Sequence, residues 1–218
     1  MEIAMEKQRV IVYVDGFNFY YGLRSKRRWK KYYWLDLVKF FDMFMKENQV
    51  LIAVKYFSAR TLDLEKSRNQ NAFFQANKEN PRFHLILGKY LKKSFQCFNC
   101  HHIIHTYEEK ESDVRIATQI VADAYQNNCD IAIVVSADSD MVPAIELAKE
   151  AGKQVYAYFP PNQQSNNLRL LCGSTIDLVR YENRFKLCLL PDVVHLKASN
   201  FDLHIPEKWK KQQQGLIT

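Results

Sequence analysis

The 218-residue chain has only 6 Gly and 6 Pro. That is too little of either for a collagen-like, low-complexity or wholly disordered chain. It also lacks a long apolar run. The longest, residues 10–14 and 131–135, are strand-sized and far short of the roughly 20 residues of a membrane-spanning helix. The N-terminal MEIAMEKQRV mixes charge into its apolar residues and lacks the layout of a signal peptide. The five cysteines are an odd number, and only Cys97 and Cys100 cluster. Together these predict a cytoplasmic chain with reduced thiols and no membrane contact. No G-x-x-x-x-G-K-[ST] loop and no G-x-G-x-x-G is present, which disfavours P-loop hydrolysis and dinucleotide redox chemistry. No Ser-His-Asp or Cys-His set has credible placement.

What is present is a basic excess, 31 Lys and Arg against 24 Asp and Glu, or +7. Such a balance suggests a polyanionic partner, nucleic acid first. Hydrophobic residues make up 47%, enough for a real core. Strand-like runs at 9–14, 50–57, 83–91, 130–135, 154–159 and 175–179 alternate with helix-spaced segments at 35–45, 62–77, 113–126 and 141–151. Alternation of this kind predicts βαβ units: an α/β sandwich whose central sheet is mostly parallel. Residues 94–106 fit neither period and are read as an inserted hairpin or loop. The domain is expected over 8–190, with 191–218 a loosely held C-terminal extension. Phe40, Phe41 and Phe44 share a helical face and are assigned to the core. Cys129, Cys172 and Cys188 are assigned as buried thiols.

In an open parallel sheet, ligands bind outside the carboxyl ends of the strands. Strand one is followed by Asp15-Gly16-Phe17-Asn18, and strand four by Ser136-Ala137-Asp138-Ser139-Asp140. The helix leading into strand four opens at Glu111-Ser112-Asp113. Asp15, Asp113, Asp138 and Asp140 are therefore expected to converge, with Asn18 and Glu111 close by. Converging carboxylates repel, and a magnesium or manganese ion would relieve them. An acidic cluster with a basic surface points to a metal-dependent nuclease. Taken singly, each acid is also explained as a turn residue or a helix cap.

Three stretches carry a family resemblance: VYVDGFNF (12–19), YEEKESDV (107–114) and VSADSD (135–140). They resemble, in order, the motifs of NYN-domain proteins of the PIN-like superfamily, nearest the LabA-like bacterial branch. The resemblance implies a PIN-like (Rossmann-like) three-layer α/β/α sandwich and metal-dependent cleavage of RNA, read as endonucleolytic. It also implies a metal pocket of Asp15, Asp113, Asp138 and Asp140, with Asn18 and Ser136 in support. The competing expectation is a catalytically silent module of the same fold that binds RNA or protein. A phosphatase of the haloacid-dehalogenase type fits poorly, because Phe17 stands where a second Asp is required.

Arg24, Lys26, Arg27, Arg28, Lys30 and Lys31 place six basic residues in eight positions, followed by Tyr32, Tyr33 and Trp34. The bases could pair phosphates and the aromatics could stack on unpaired bases; otherwise the aromatics turn into the core. Lys110 is a further candidate for a phosphate oxygen. The expected partner is single-stranded or structured RNA. DNA is not excluded, and a homodimer is compatible with the reading. Cys97, Cys100, His102 and His105 offer a structural zinc set of very short spacing, against a hairpin tip with free thiols.

Overall fold

In the computed structural model, residues 6–215 are described, apart from the side chains of His105, Thr106 and Glu108. The chain runs β1 (Gln8–Asp15), α1 (Gly16–Arg24), a 3-10 turn (Arg27–Tyr32), α2 (Leu37–Asp42), β2 (Gln49–Ser58), α3 (Leu64–Lys78) and β3 (Phe83–Leu87). A hairpin of β4 (Lys89–Gln96) and β5 (Ile103–Lys110) follows, then α4 (Ser112–Tyr125) and β6 (Ile131–Val135). A 3-10 turn (Ser139–Met141) leads into α5 (Val142–Glu150), β7 (Gln154–Phe159), α6 (Asn166–Leu171) and β8 (Ser174–Asp177). The described chain ends with α7 (Glu182–Leu187), a hairpin of β9 (Val193–Leu196) and β10 (Phe201–His204), and α8 (Glu207–Gln213).

Six strands form one sheet in the order β3-β2-β1-β6-β7-β8, and every pairing in it is parallel. The expected α/β class is therefore present. β1 shows how the layers arise. Successive side chains of a strand point to opposite faces. Val10, Val12 and Val14 join the core under α2 and α7 with Phe40, Phe41 and Phe185. Ile11 and Tyr13 join the core under α4 and α5 with Ile116, Ile120 and Ile145. A strand apolar on both sides belongs at the centre of a sheet covered on both faces.

Several boundaries differ from the sequence expectation. The run at 83–91 breaks at Gly88 into β3 and β4, and β4 leaves the main sheet to pair only with β5. The inserted hairpin thus spans Lys89–Lys110 and is longer than 94–106. The helix expected over 35–45 is the short α2. The C-terminal stretch, expected to be loosely held, is folded through Gln213. Trp34 Nε1 donates to the Pro191 carbonyl at 2.8 Å, Ile205 is buried, and Trp209 packs on Tyr33 and Trp34. Its apolar residues are too sparse to show a period, but Val194, Leu203, Ile205 and Trp209 pack against the core built by residues far away in sequence. Residues 216–218 lie outside the described residues. Cys129, Cys172 and Cys188 are buried, as expected. Among the described residues no helix is long and apolar enough to cross a membrane.

A buried ion pair ties three elements together. Lys55 of β2 donates to Asp123 of α4 at 2.6 Å, and the Tyr13 hydroxyl of β1 donates to the same carboxylate at 2.8 Å. Asn128 supplies a third partner at 3.0 Å. Burial pushes the Asp123 carboxyl up, but the bonds from Lys55, Asn128 and Tyr13 outweigh it and hold the group below its ordinary value. Removing one partner of a buried pair leaves the other charge uncompensated. Asp123 is 2% exposed and Lys55 16%, so the lysine can partly reach water. Asp123→Ala is therefore expected to cost about 3 kcal/mol, the lower end for a broken buried pair. Because the native carboxyl titrates low, the pair's contribution is complete above about pH 4 and is lost as pH falls further. Urea unfolding across that range checks both. A variant as stable as wild type, with unchanged acid sensitivity, would show that the pair holds nothing.

Candidate active site

β1 ends on Asp15, and α1 begins at the next residue. Asp15 keeps an extended backbone and caps the helix, its Oδ1 accepting the Asn18 N–H at 2.9 Å. A carboxylate there meets the unpaired N–H groups and the positive end of the helix dipole. The turn is possible only because residue 16 is glycine. A Cβ there would stand 2.4 Å from the Phe57 carbonyl oxygen and 2.7 Å from the Tyr56 ring.

The neighbouring strand completes the arrangement. Val14 of β1 lies beside Val135 of β6, and Ser136 comes one residue later. Ser136 Oγ donates to Asp15 Oδ2 at 3.0 Å and accepts the Asp138 N–H at 3.0 Å. Asn18 Oδ1 accepts the Ala137 N–H at 3.1 Å. Asp138 caps the following 3-10 turn, its Oδ1 accepting the Asp140 N–H at 2.9 Å. The structure thus links Asp15, Asn18, Ser136, Asp138 and Asp140 in one hydrogen-bonded chain. Ser136 and Asp15 are buried, Asn18 and Asp138 half-buried, and Asp140 exposed.

Asp113 stands in the first turn of α4 and joins the same group electrostatically. Burial pushes the Asp15 carboxyl up to about 6; the Asn18 N–H and Ser136 hydroxyl pull it down, and the charges of Asp113 and Asp138 push it up again. Asp113 is also raised, first by partial loss of hydration and then by Asp138, Glu109 and Asp140. The charges of Asp113 and Asp138 act on Asp15, and those of Asp138 and Asp140 act on Asp113. The donor set of the four aspartates is all oxygen, which suits magnesium or manganese rather than a thiophilic ion. Among the described residues, however, no three His, Cys, Asp or Glu side chains stand close enough to enclose a metal ion. The acids line an open edge and do not form a closed cage.

Glu111 does not join them. It takes a left-handed backbone (φ 82°) at the start of α4, and its carboxylate pairs with Arg115 at 2.7 Å and Lys89 at 3.5 Å. Glu109 takes its place. Its Oε1 accepts the Ser112 hydroxyl at 2.6 Å and the Ser112 N–H at 3.1 Å, and its charge reaches Asp113. Sequence reasoning missed it. The available signal was the carboxylate three residues before Ser112, together with the strand alternation that separates Glu109 from Lys110. Gly88 permits the packing: a Cβ there would stand 2.7 Å from the Lys110 carbonyl oxygen and 2.9 Å from Glu109 Oε1.

The basic run wraps from the end of α1 through the 3-10 turn. Trp29, Tyr32 and Trp34 are buried, so these aromatics turn into the core. Arg24, Lys26, Arg27 and Arg28 are exposed, Lys30 and Lys31 half-buried. Lys31 is tied to Glu182 at 3.1 Å. Lys110 is exposed at the end of β5. At the hairpin tip the Cys97 N–H donates to the His102 carbonyl and the His101 N–H to the Cys97 carbonyl, both at 2.9 Å. The Cys97 thiol is lowered by the N–H groups of Cys100 and Asn99 and by the Cys100 thiol. His102 is exposed, and the side chain of His105 lies outside the described residues.

Comparison with known proteins places this geometry in a family. The family model described as NYN domain matches residues 9–179. The chain is 24% identical to the 6-hydroxy-3-succinoylpyridine 3-monooxygenase of Pseudomonas putida, over 99% of this chain and 80% of that protein. It is similar in fold to the crystal structure of a protein of unknown function from Vibrio parahaemolyticus. There the TM-score is 0.56 at 20% identity, over 81% of this chain and 95% of the other.

The electrostatics yield a test by stability. A carboxyl raised from 3.8 to about 6 favours folding below about pH 4, where both states are protonated or protonating, and that contribution is lost as pH rises through 6. Ionised Asp15 then strains the fold by about 3 kcal/mol. Asn at this position keeps an acceptor for Asn18 without the charge. In chelator, Asp15→Asn is expected to be more stable than wild type by about 1–3 kcal/mol near pH 8, with the gain vanishing near pH 4. Denaturant midpoints at the two pH values check this. A variant no more stable than wild type near pH 8 would mean that the ionised carboxylate is not strained.

Proposed function

The chain belongs to the NYN domain family, and from that premise we propose that it is a ribonuclease that uses a divalent cation, magnesium or manganese, to hydrolyse RNA phosphodiester bonds endonucleolytically. The observation that carries the reading is the hydrogen-bonded chain from Asp15 through Ser136 to Asp138 and Asp140 at the switch point of the sheet, with the charge of Asp113 acting on Asp15. There Asp15 is raised to about 6 by burial and by Asp113 and Asp138. Clustered acids that disfavour their own ionisation suit a site completed by a cation.

Asp15 and Asp138 would hold the cation, with Asp113 and Asp140 completing the set directly or through water, and the cation would supply charge stabilisation at phosphorus and acidify a water. The open edge suits an ion that keeps several waters and takes part of its shell from substrate phosphate. The remaining work falls to the chain itself. The Asn18 N–H and the Ser136 hydroxyl fix the two oxygens of Asp15. The Ser136 Oγ bond from the Asp138 N–H fixes the loop that carries Asp138 and Asp140. Asp140 and Asp113, at the solvent side, can orient the attacking water and accept its proton. Arg24, Lys26, Arg27, Arg28, Lys30, Lys31 and Lys110 offer cations to the backbone phosphates. Attack of water on phosphorus with loss of the 3′ oxygen leaves 5′-phosphate and 3′-hydroxyl ends.

One observation favours a second reading. No three described donors are drawn together, as expected of a silent module that binds RNA or a protein through the same fold. The Pseudomonas relative is named for an oxygenation at 24% identity; the acids of this chain favour hydrolysis instead. At the hairpin tip, a structural zinc on Cys97, Cys100, His102 and His105 stands as the alternative to free thiols, and among the described residues no three such side chains are drawn together. With zinc bound there, purified protein should carry one equivalent by elemental analysis, and its absence from native protein would sink the idea.

The function is tested with end-labelled single-stranded RNA and added manganese, wild type beside Asp138→Asn prepared identically. Wild type is expected to cleave, and chelator or the substitution to reduce the rate at least 100-fold, in keeping with the loss of a direct ligand. Equal cleavage by both proteins would indicate a contaminant. No cleavage of several RNAs by protein shown to bind manganese would give the binding-module reading precedence.

A further inference from the structure

A cleft of about 410 Å³ opens at the start of α1 and is lined by none of the four site aspartates; its size is within the range of pockets that take small ligands. Its inner end is built by Gly16 and Phe17, immediately after Asp15, and by Tyr56. Burial and then the nearby Asp15 charge keep the Tyr56 phenol protonated, and its hydroxyl meets the Gly16 carbonyl at 3.4 Å. The outer wall comes from Trp209 and Gln212 of α8, beyond the 9–179 stretch that the family model matches.

Three features of the lining point to one kind of ligand. The first is a row of half-buried rings. Tyr20 stacks on Tyr33 at 5.3 Å and 27°, and Tyr33 meets Trp209 at 5.6 Å. The second is cationic. Arg24 and Lys30 line the cleft, and among the described residues neither is in an ion pair. The other lysines there are neutralised, Lys66 by Asp63 at 3.0 Å and Lys208 by Glu65 at 3.5 Å. The third is an unused acceptor. Gln212 Oε1 is buried with no hydrogen-bond partner. By contrast, the Gln70 amide in the same cleft is fully engaged, by the Thr61 N–H, the Ser58 hydroxyl and the Ala59 carbonyl. A buried polar atom without a partner asks for a donor that the protein does not supply.

We propose that this cleft, which starts one residue past Asp15, holds one unstacked nucleotide of the bound strand and so selects single-stranded RNA. The aromatic row offers its rings to a base, the Gln212 side chain turns so that its Oε1 accepts an N–H from the base edge, and Arg24 and Lys30 pair the flanking phosphates. Bases in a duplex are stacked and paired and cannot enter. The inference takes its ligand from the ribonuclease reading but requires only binding, not turnover. It gives the C-terminal helix a part in substrate choice.

The test uses the full chain in chelator, so that binding is read without hydrolysis. Fluorescence anisotropy measures a short labelled single-stranded RNA and its blunt duplex against wild type, Gln212→Leu and Trp209→Ala. Each substitution is expected to weaken single-strand binding about tenfold and leave duplex binding unchanged. Gln212→Leu removes a polar atom that has no partner, so its thermal midpoint should match or exceed that of wild type, which separates lost binding from lost fold. Adenosine 5′-monophosphate serves as a second probe. Competition that disappears in Gln212→Leu supports the nucleotide site and shows that a free nucleotide suffices; absence of competition, with single-strand binding still lost in the variant, assigns the site to the polymer. Wild-type affinity of Gln212→Leu for single-stranded RNA overturns the proposal, even where Asp138-dependent cleavage is intact. Conversely, failure of cleavage with the Gln212 effect preserved overturns the ribonuclease reading and leaves the cleft assignment standing.

Discussion

Val14 of β1 and Val135 of β6 lie side by side in a parallel ladder, and the site depends on that pairing. From β1 the sheet grows outward through β2 to β3; the chain then returns to add β6, β7 and β8 on the other side. At such a switch point the connections leave in opposite directions and open a crevice at the carboxyl ends of the strands. Parallel strands end at the same edge, so one residue past the ladder Asp15 and Ser136 are within hydrogen-bond distance. The register is under strong constraint. Tyr13 points one way to meet Asp123, and its neighbours Val12 and Val14 point the other way into the opposite core. A slip of one residue would exchange those faces, bury the Tyr13 hydroxyl among apolar groups and carry Asp15 away from Ser136.

The chain treats two of its buried aspartates, Asp123 and Asp15, in opposite ways. Asp123 receives a cation and two further donors and is held ionised. Asp15 receives one N–H and one hydroxyl, while its nearest charges are other carboxylates. The first arrangement supports the fold. The second opposes ionisation and leaves an unmet demand for positive charge. Burial without a cation thus sets Asp15 apart from Asp123.

Around this edge the remaining segments act as walls. The β4–β5 hairpin brings Glu109 against the start of α4, with Gly88 allowing close approach. The basic run turns its large aromatics inward, where Trp29 and Tyr32 pack on Phe185, so its charges are carried on a rigid surface. The C-terminal helix closes the far side of the cleft through Trp209, itself seated on Tyr33 and Trp34. Segments distant in sequence thus meet around a strand end that is only a few residues long.

The order and type of the central elements were legible in the sequence, because strand and helix impose different periods on apolar residues and each period is a local property. The edge shared by Asp15 and Ser136 was legible too, since the carboxyl ends of neighbouring parallel strands lie at one edge of the sheet. The direction of a side chain at an element's end was not. Glu111 and Glu109 are two residues apart and look interchangeable, yet a left-handed residue and a strand's alternation send one to Arg115 and the other towards Asp113. The Lys55–Asp123 pair, the inward turn of Trp29 and the docking of Trp209 were likewise invisible, because each is decided by a partner tens of residues or more away. Local periodicity states which residues must be buried or capped; only the packed chain decides against what, because that choice is made by groups that chain order does not bring together.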